Sequence, residues 1–267
     1  MLQQKNAIIY GAGGSLGGAV ARAFAGAGAM VFLSGRSLNP VQLVADDINS
    51  SGGNAEAAEV DALNEKAINS YVDEIVRKAG SIDISFNAIG LQDTQDKFLV
   101  DMSLVDFVRP VTIAMETQFL TATAAGRIMM KQRSGVILSL TATPGGIGYA
   151  RVGGFGPACC AIEGFSRDLA SELGPHGIRV VNIRSAGSPD SRPFAEALAG
   201  GGKEASLFLE KLEEDTMLKK LPLMADIANV AVFLSSDMAG KITGVTIDVT
   251  CGTTNGLNYK VPSIPFR

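Results

Sequence analysis

The stretch that most constrains the fold lies near the start of the chain. The apolar run "NAIIY" (residues 6–10) passes directly into "GAGGSLGG" (11–18) and then into a helix-like segment rich in small residues. An apolar run followed without pause by glycines and a helix reads as a strand-turn-helix unit, in which the backbone turns sharply and the helix packs back on the strand. The pattern recurs along the chain. Residues 30–34, 54–60, 82–86, 135–140, 178–183 and 245–249 are further strand-like runs. Helical stretches near 16–27, 40–50, 64–79, 103–132, 157–173 and 225–235 separate them.

Strands that alternate with helices connect by right-handed crossovers and bury both faces of a parallel sheet. The expected fold class is therefore α/β, a doubly wound, Rossmann-like parallel sheet of about seven strands with helices on both faces. No linker or internal repeat divides the 267 residues, which read as a single domain, 1–267. Residues 188–222 interrupt the rhythm with proline, a glycine triplet and mixed charge, and are expected to form a lid inserted before the last helix and strand.

Composition removes several function classes. A net charge of -4 with no basic cluster gives no electrostatic case for nucleic acid or an anionic membrane. The apolar region 7–33 carries Arg22 and dense glycines, so it reads as strand-turn-helix-strand and not as a membrane span. The first strand begins too early to leave room for a signal peptide, and three cysteines without a paired spacing point to a reducing compartment. A cytoplasmic protein is expected, with no metal site.

At a strand-helix junction the glycine turn brings backbone close to a pyrophosphate and aims helix N–H groups at it. After the second strand stands "SGRS" (34–37). An acidic residue about 20 positions beyond the glycine turn would take the ribose hydroxyls of NAD. Gly35 occupies that place, followed by Arg36 and flanked by Ser34 and Ser37. A guanidinium with two hydroxyls suits a 2′-phosphate, so NADP is preferred over NAD.

Together these features resemble the short-chain dehydrogenase/reductase family over nearly the whole chain. The family's glycine motif corresponds to Tyr10, Gly11, Ala12, Gly13, Gly14, Ser15, Leu16 and Gly17, with Tyr in place of Thr and Ser in place of the middle Gly. "NAIG" (87–90) stands for the family's NNAG and keeps Asn87 and Gly90 around Ala88. Asp61 with Ala62 stands where the family's adenine-contacting Asp follows the third strand. "AIEGFSRDLASELGPHGIRVVNI" (161–183) follows the pattern after the family's active-site helix, and 225–249 that of its C-terminal segment. The resemblance implies cofactor contacts from Gly11, Gly13, Ser15, Leu16, Gly17, Ser34, Arg36, Ser37, Asp61, Ala62, Asn87, Ala88 and Gly90. It also implies a small-molecule substrate and a homodimer or homotetramer packed through long helices. Small Ala158, Cys159, Ala161 and Gly164 would suit such close helix packing.

The family's catalytic residues are missing. In the family a Tyr is the general acid/base, a Lys four residues on lowers its pKa, a Ser positions the carbonyl, and an Asn carries a water relay. The register puts Phe155 at the Tyr position, Cys159 at the Lys position, Ala142 at the Ser position and Ala114 at the Asn position. Phe has no proton to give, and a thiol on a short stem cannot replace a lysine ammonium, so the usual reaction cannot run on these four side chains. Thr141, Thr143, Tyr149, Arg151 and Arg184 are the candidate substitutes. Cys159 or Cys160 as a nucleophile would need a base or a depressed pKa, and the sole histidine, His176, sits in a turn away from the site.

Two readings stay open. The first is an NADP(H)-dependent oxidoreductase acting on a small carbonyl, enone or imine with non-standard proton delivery. The alternative is a degenerate family member, a pseudoenzyme that binds NADP(H) or a ligand for sensing or for pairing with an active subunit. A structural subunit that binds no nucleotide fits the preserved glycine turn least well.

Overall fold

Tyr10 of the first strand stands in register with Ser34 on one side and Asn87 on the other, and this junction organises the molecule. The computed structural model describes residues 1–256. Among them, seven strands form one sheet: β1 (Asn6–Tyr10), β2 (Met30–Gly35), β3 (Asn54–Glu59), β4 (Ile84–Asn87), β5 (Gly135–Ala142), β6 (Ile178–Ser185) and β7 (Thr246–Val249). Their order is β3-β2-β1-β4-β5-β6-β7 and every pairing is parallel. The order reverses between β1 and β4, which opens a crevice at the carboxyl ends of those two strands.

The helices are α1 (Ser15–Gly26), α2 (Leu38–Ser50), α3 (Glu65–Ala79), α4 (Leu104–Gln132), α5 (Phe155–Leu173), α6 (Arg192–Glu214), α7 (Met224–Ser235) and the short α8 (Thr253–Gly256). Side chains of a strand alternate between faces, and both faces are apolar here. Ala7, Ile9, Val31 and Leu33 pack with Val20 and Phe24 of α1, Val44 of α2, and Ile227 and Leu234 of α7. Ile8, Tyr10 and Phe32 pack on the other face with Ile68 and Ile75 of α3, Met129 of α4 and Leu169 of α5. Each such fully buried side chain contributes about 1.5–3 kcal/mol, which holds the strand ends rigid beneath the loops.

The observed strands match the sequence reading to within two residues at either end, and the largest difference lies in 188–222. The segment contains a long helix, α6, interrupted at Gly202 (φ 54°, ψ -135°), a conformation that glycine adopts without strain. Helix α5 starts at Phe155, so Pro157 falls in its first turn, where a missing N–H costs nothing. His176 ends a short turn, Gly174–His176, just before β6, with its ring nitrogen 3.1 Å from Arg133. That places it at the opposite edge of the sheet from the carboxyl ends.

Candidate functional site

Two cavities open at the carboxyl ends of the strands. The first, about 420 Å³, occupies the crevice between β1 and β4. Gly11 turns the chain there at φ +78°, and a Cβ on it would sit 2.7 Å from the carbonyl oxygen of Ala88. A Cβ on Gly13 would lie 3.0 Å from Cβ of Pro40, and Gly17 packs directly under the carbonyl of Gly11. The glycines thus leave a groove that larger residues would fill. Helix α1 points its N-terminus into it, with no side-chain cap and no acidic residue in the first turn. Such an end is a ready acceptor of an anion.

Gly11, Gly13, Ser34, Arg36, Ser37, Asp61, Ala62, Ala88 and Gly90 all line this cavity. Arg36 is exposed, and among the described residues the buried Ser34 hydroxyl has no hydrogen-bond partner. A buried hydroxyl without a partner, beside a free guanidinium and an open helix end, fits the diphosphate and ribose of a dinucleotide. Four of the expected residues stand elsewhere. Ser15 Oγ accepts a hydrogen bond from the Arg192 backbone N–H at 3.0 Å. Leu16 lines the second cavity, and Gly17 lies beneath the turn. Asn87 is buried, donating to Thr121 Oγ1 at 3.1 Å and accepting from the Ile89 N–H at 3.0 Å, so it fixes the 87–90 turn. Arg192, at the start of α6, also lines the cavity, and the sequence carries no motif that announces it.

The second cavity, about 460 Å³, adjoins the ends of β5 and β6 beneath α6 and α7. The segment from Ala142 to Phe155 supplies one wall: Ala142, Thr143, Pro144, Tyr149, Val152 and Phe155. Among the described residues the Thr143 hydroxyl makes no hydrogen bond. Burial and then the nearby charge of Asp215 hold the Tyr149 phenol above its usual pKa, so it stays protonated as a donor.

The other expected residues divide sharply. Ala114 and Phe155 belong to a small apolar cluster with Ile113, Ala158 and Ile162 between α4 and α5. Cys159 is buried on the same helix, and burial pushes its thiol up to about 12, which makes it inert as a nucleophile at neutral pH. Cys160 is exposed, with its thiol 3.6 Å from the carbonyl of Gly145. Thr141 points away from the cavity, donating to Glu163 Oε1 at 2.9 Å and accepting from Asn182 Nδ2 at 2.7 Å. Arg184 donates to both oxygens of Glu163 and, at 2.8 Å, to Asp248. Burial works against its charge, but Glu163 and Asp248 outweigh that and leave its pKa raised. Arg151 (φ +64°) turns outward, pairing with Asp96 at 3.0 Å and lying 4.6 Å over the Phe98 ring. Of the five candidate substitutes, only Thr143 and Tyr149 line the cavity.

Among the described residues no group of His, Cys, Asp and Glu could hold a metal ion, and no helix is long and apolar enough to cross a membrane.

Comparison with known proteins places these cavities in context. A family model described as enoyl-(acyl carrier protein) reductase matches residues 11–254. A 3-oxoacyl-(acyl-carrier-protein) reductase of Aquifex aeolicus is 31% identical over 252 residues, covering 94% of this chain and 98% of that protein. A 7alpha-hydroxysteroid dehydrogenase of Escherichia coli is 29% identical over 257 residues, covering 96% of this chain and 97% of that protein. The crystal structure of a short-chain type dehydrogenase/reductase from Mycobacterium marinum superposes with a TM-score of 0.82 at 28% identity, over 95% of this chain and 97% of that one. NAD+-bound xylitol dehydrogenase shares the fold, with a TM-score of 0.87 at 24% identity over 94% of this chain and 99% of that one.

Proposed function

The chain belongs to the short-chain dehydrogenase/reductase family, an oxidoreductase family whose members use nicotinamide cofactors, and on that premise we propose that it is an NADP(H)-dependent reductase of a small carbonyl, enone or imine. One observation carries the reading. A charged groove with Arg36 and an open helix end adjoins a second cavity whose wall bears two free hydroxyls, Thr143 and Tyr149. The nicotinamide, when bound, supplies the hydride.

The residues of the chain do the rest. Arg36, Ser34 and Ser37 hold the 2′-phosphate, and the N-terminus of α1 holds the diphosphate. Phe155, Cys159, Ala142 and Ala114 occupy the positions of the family's Tyr, Lys, Ser and Asn, so none of the four delivers a proton. Thr143 orients the substrate oxygen, and Tyr149, kept protonated by burial, donates to it as negative charge develops. Calorimetry with NADPH, NADP+ and NADH tests the cofactor, followed by NADPH consumption across a panel of ketones, enones and imines. No binding of any of the three nucleotides would sink the reading.

A second reading, binding without turnover, is favoured by the apolar packing of Phe155 and the burial of Cys159 where proton transfer usually occurs. Tight NADPH binding with no turnover across the panel would select it.

A further inference from the structure

The second cavity differs from the first in one respect that bears on the substrate. Among the described residues lining it there is no Asp, Glu, Lys, Arg or His, whereas Arg36, Asp61 and Arg192 line the first. Its polar side chains are all uncharged: Thr143 and Tyr149, with Gln95, Ser185, Ser188, Ser191 and Thr253 elsewhere in the lining. Thr143 and Tyr149 come from the segment that also brings Ala142 and Phe155. The largest apolar contribution comes from Phe194, Phe208 and Leu212 of α6, then Leu221, Met224 and Ile227. Helix α6 is seated by Phe194, whose ring lies where a Cβ on Gly187 would come within 2.6 Å. The first turn of α6 is tied to α1 through Arg192 and Ser15, and Asp190 just before it accepts from the N–H of Met224 in α7. Helix α6 is therefore part of the built cavity.

An ionised group entering such a space finds no opposite charge in the lining and gives up part of its water against apolar side chains, which disfavours it relative to a neutral molecule. An uncharged molecule with one polar end has the opposite balance: its oxygen meets Thr143 and Tyr149 while its hydrocarbon leaves water against the phenylalanines and leucines. A cavity of about 460 Å³ is large enough for a fused-ring or branched compound.

We propose that the substrate is an uncharged, largely apolar ketone or enone of bicyclic size or larger, bound with its oxygen at Thr143 and Tyr149 and its hydrocarbon under α6. The proposal deepens the functional reading above and rests on it for the chemistry, but the binding preference stands on the lining alone.

The test is a competition in the full chain, with and without NADPH. N-phenylnaphthylamine, a neutral dye that fluoresces when desolvated, reports the cavity. Decalone is expected to displace it at concentrations at least tenfold lower than the same bicyclic ketone carrying a carboxylate. Leu212→Arg is expected to erase or invert that preference while NADPH binding stays unchanged. Phe208→Arg, on the exposed side of the same helix, gives the same readout should the first variant fold poorly. Equal or better competition by the carboxylate overturns the proposal, as does a dye that fails to bind or that decalone fails to displace. A protein that takes decalone but no NADPH would instead sink the cofactor reading and leave this preference intact.

Discussion

Glu163 of α5 and Arg184 of β6 meet in a buried two-pronged ion pair, with Nη2 2.6 Å from Oε2 and Nε 3.0 Å from Oε1. Strand pairing explains why they meet. Thr141, Arg184 and Asp248 are in register across β5, β6 and β7 and face the same helix. A Cβ on Gly146 would lie 2.7 Å from Arg184 Nη1, so the pair packs directly beneath the loop that carries Thr143 and Tyr149. Removing one partner leaves a buried charge without compensation. Arg184→Met should cost about 3–5 kcal/mol of stability, read from urea unfolding. Combining it with Glu163→Gln should recover part of that loss. A cost equal to that of an exposed pair would mean the network is solvated.

Arg36 stands free at the cavity edge, so the choice of cofactor is expected to ride on its charge. A hydrogen bond to a charged group contributes about 1.5–3 kcal/mol, and each 1.4 kcal/mol is a factor of ten. Arg36→Ala should weaken NADPH by roughly 10- to 100-fold while leaving NADH within a few-fold. Calorimetry with both nucleotides checks it, and equal weakening of the two would remove the 2′-phosphate from the account.

Much of this was legible in the sequence, and the failures have physical reasons. Apolar runs ending in glycine or small residues announced the strands, because a buried parallel strand needs β-branched residues and its turn needs glycine. The first cavity was legible because its lining comes largely from the glycine turn after β1 and the segments just beyond β2, β3 and β4, which carry local motifs. Helix α6 was hidden by its glycine triplet, which ends most helices; here the break falls at a single residue, Gly202, and helix resumes on both sides. Thr141 and Arg184 looked available because sequence does not say which strands are neighbours. Only the order β5-β6-β7 reveals that they satisfy each other through Glu163.

The buried thiol and phenols make the fold sensitive to alkali. Burial raises Cys159 from 9.0 to about 12, and it also raises Tyr10 and Tyr71 above 10.0. Between pH 9.0 and about 12 the unfolded chain gives up the Cys159 proton while the folded chain keeps it. The unfolded state then binds fewer protons, so stability falls as pH rises, by about 1.4 kcal/mol per pH unit for the thiol alone. The phenols add to the loss above pH 10.0, and none of it is present at neutral pH. Urea midpoints from pH 7 to about 11 measure it. Cys159→Ala should flatten the first part of the decline, and at pH 8 iodoacetamide should label exposed Cys160 while sparing Cys159.

Placing Tyr at 155 and Lys at 159, as the proposed register assigns the family's pair, separates a lost function from a rebuilt site. Phe155 is half-buried and lines the second cavity, so Phe155→Tyr should fold with little change in stability. Cys159 is 1% exposed, and a Cβ on Gly145 would lie only 3.0 Å from its Cβ. Cys159→Lys must therefore push a long cationic side chain into a slot closed around a thiol. Overpacking alone costs about 1–3 kcal/mol, and an ammonium there would compete with Arg184 for Glu163. Gly145 and α5 pack directly on each other, so the double variant should be no more active than the wild type, and less stable by at least the overpacking cost. Urea unfolding and NADPH turnover on a neutral ketone decide it. A stable double variant with raised turnover would mean that the lysine slot persists and that only its side chains were lost.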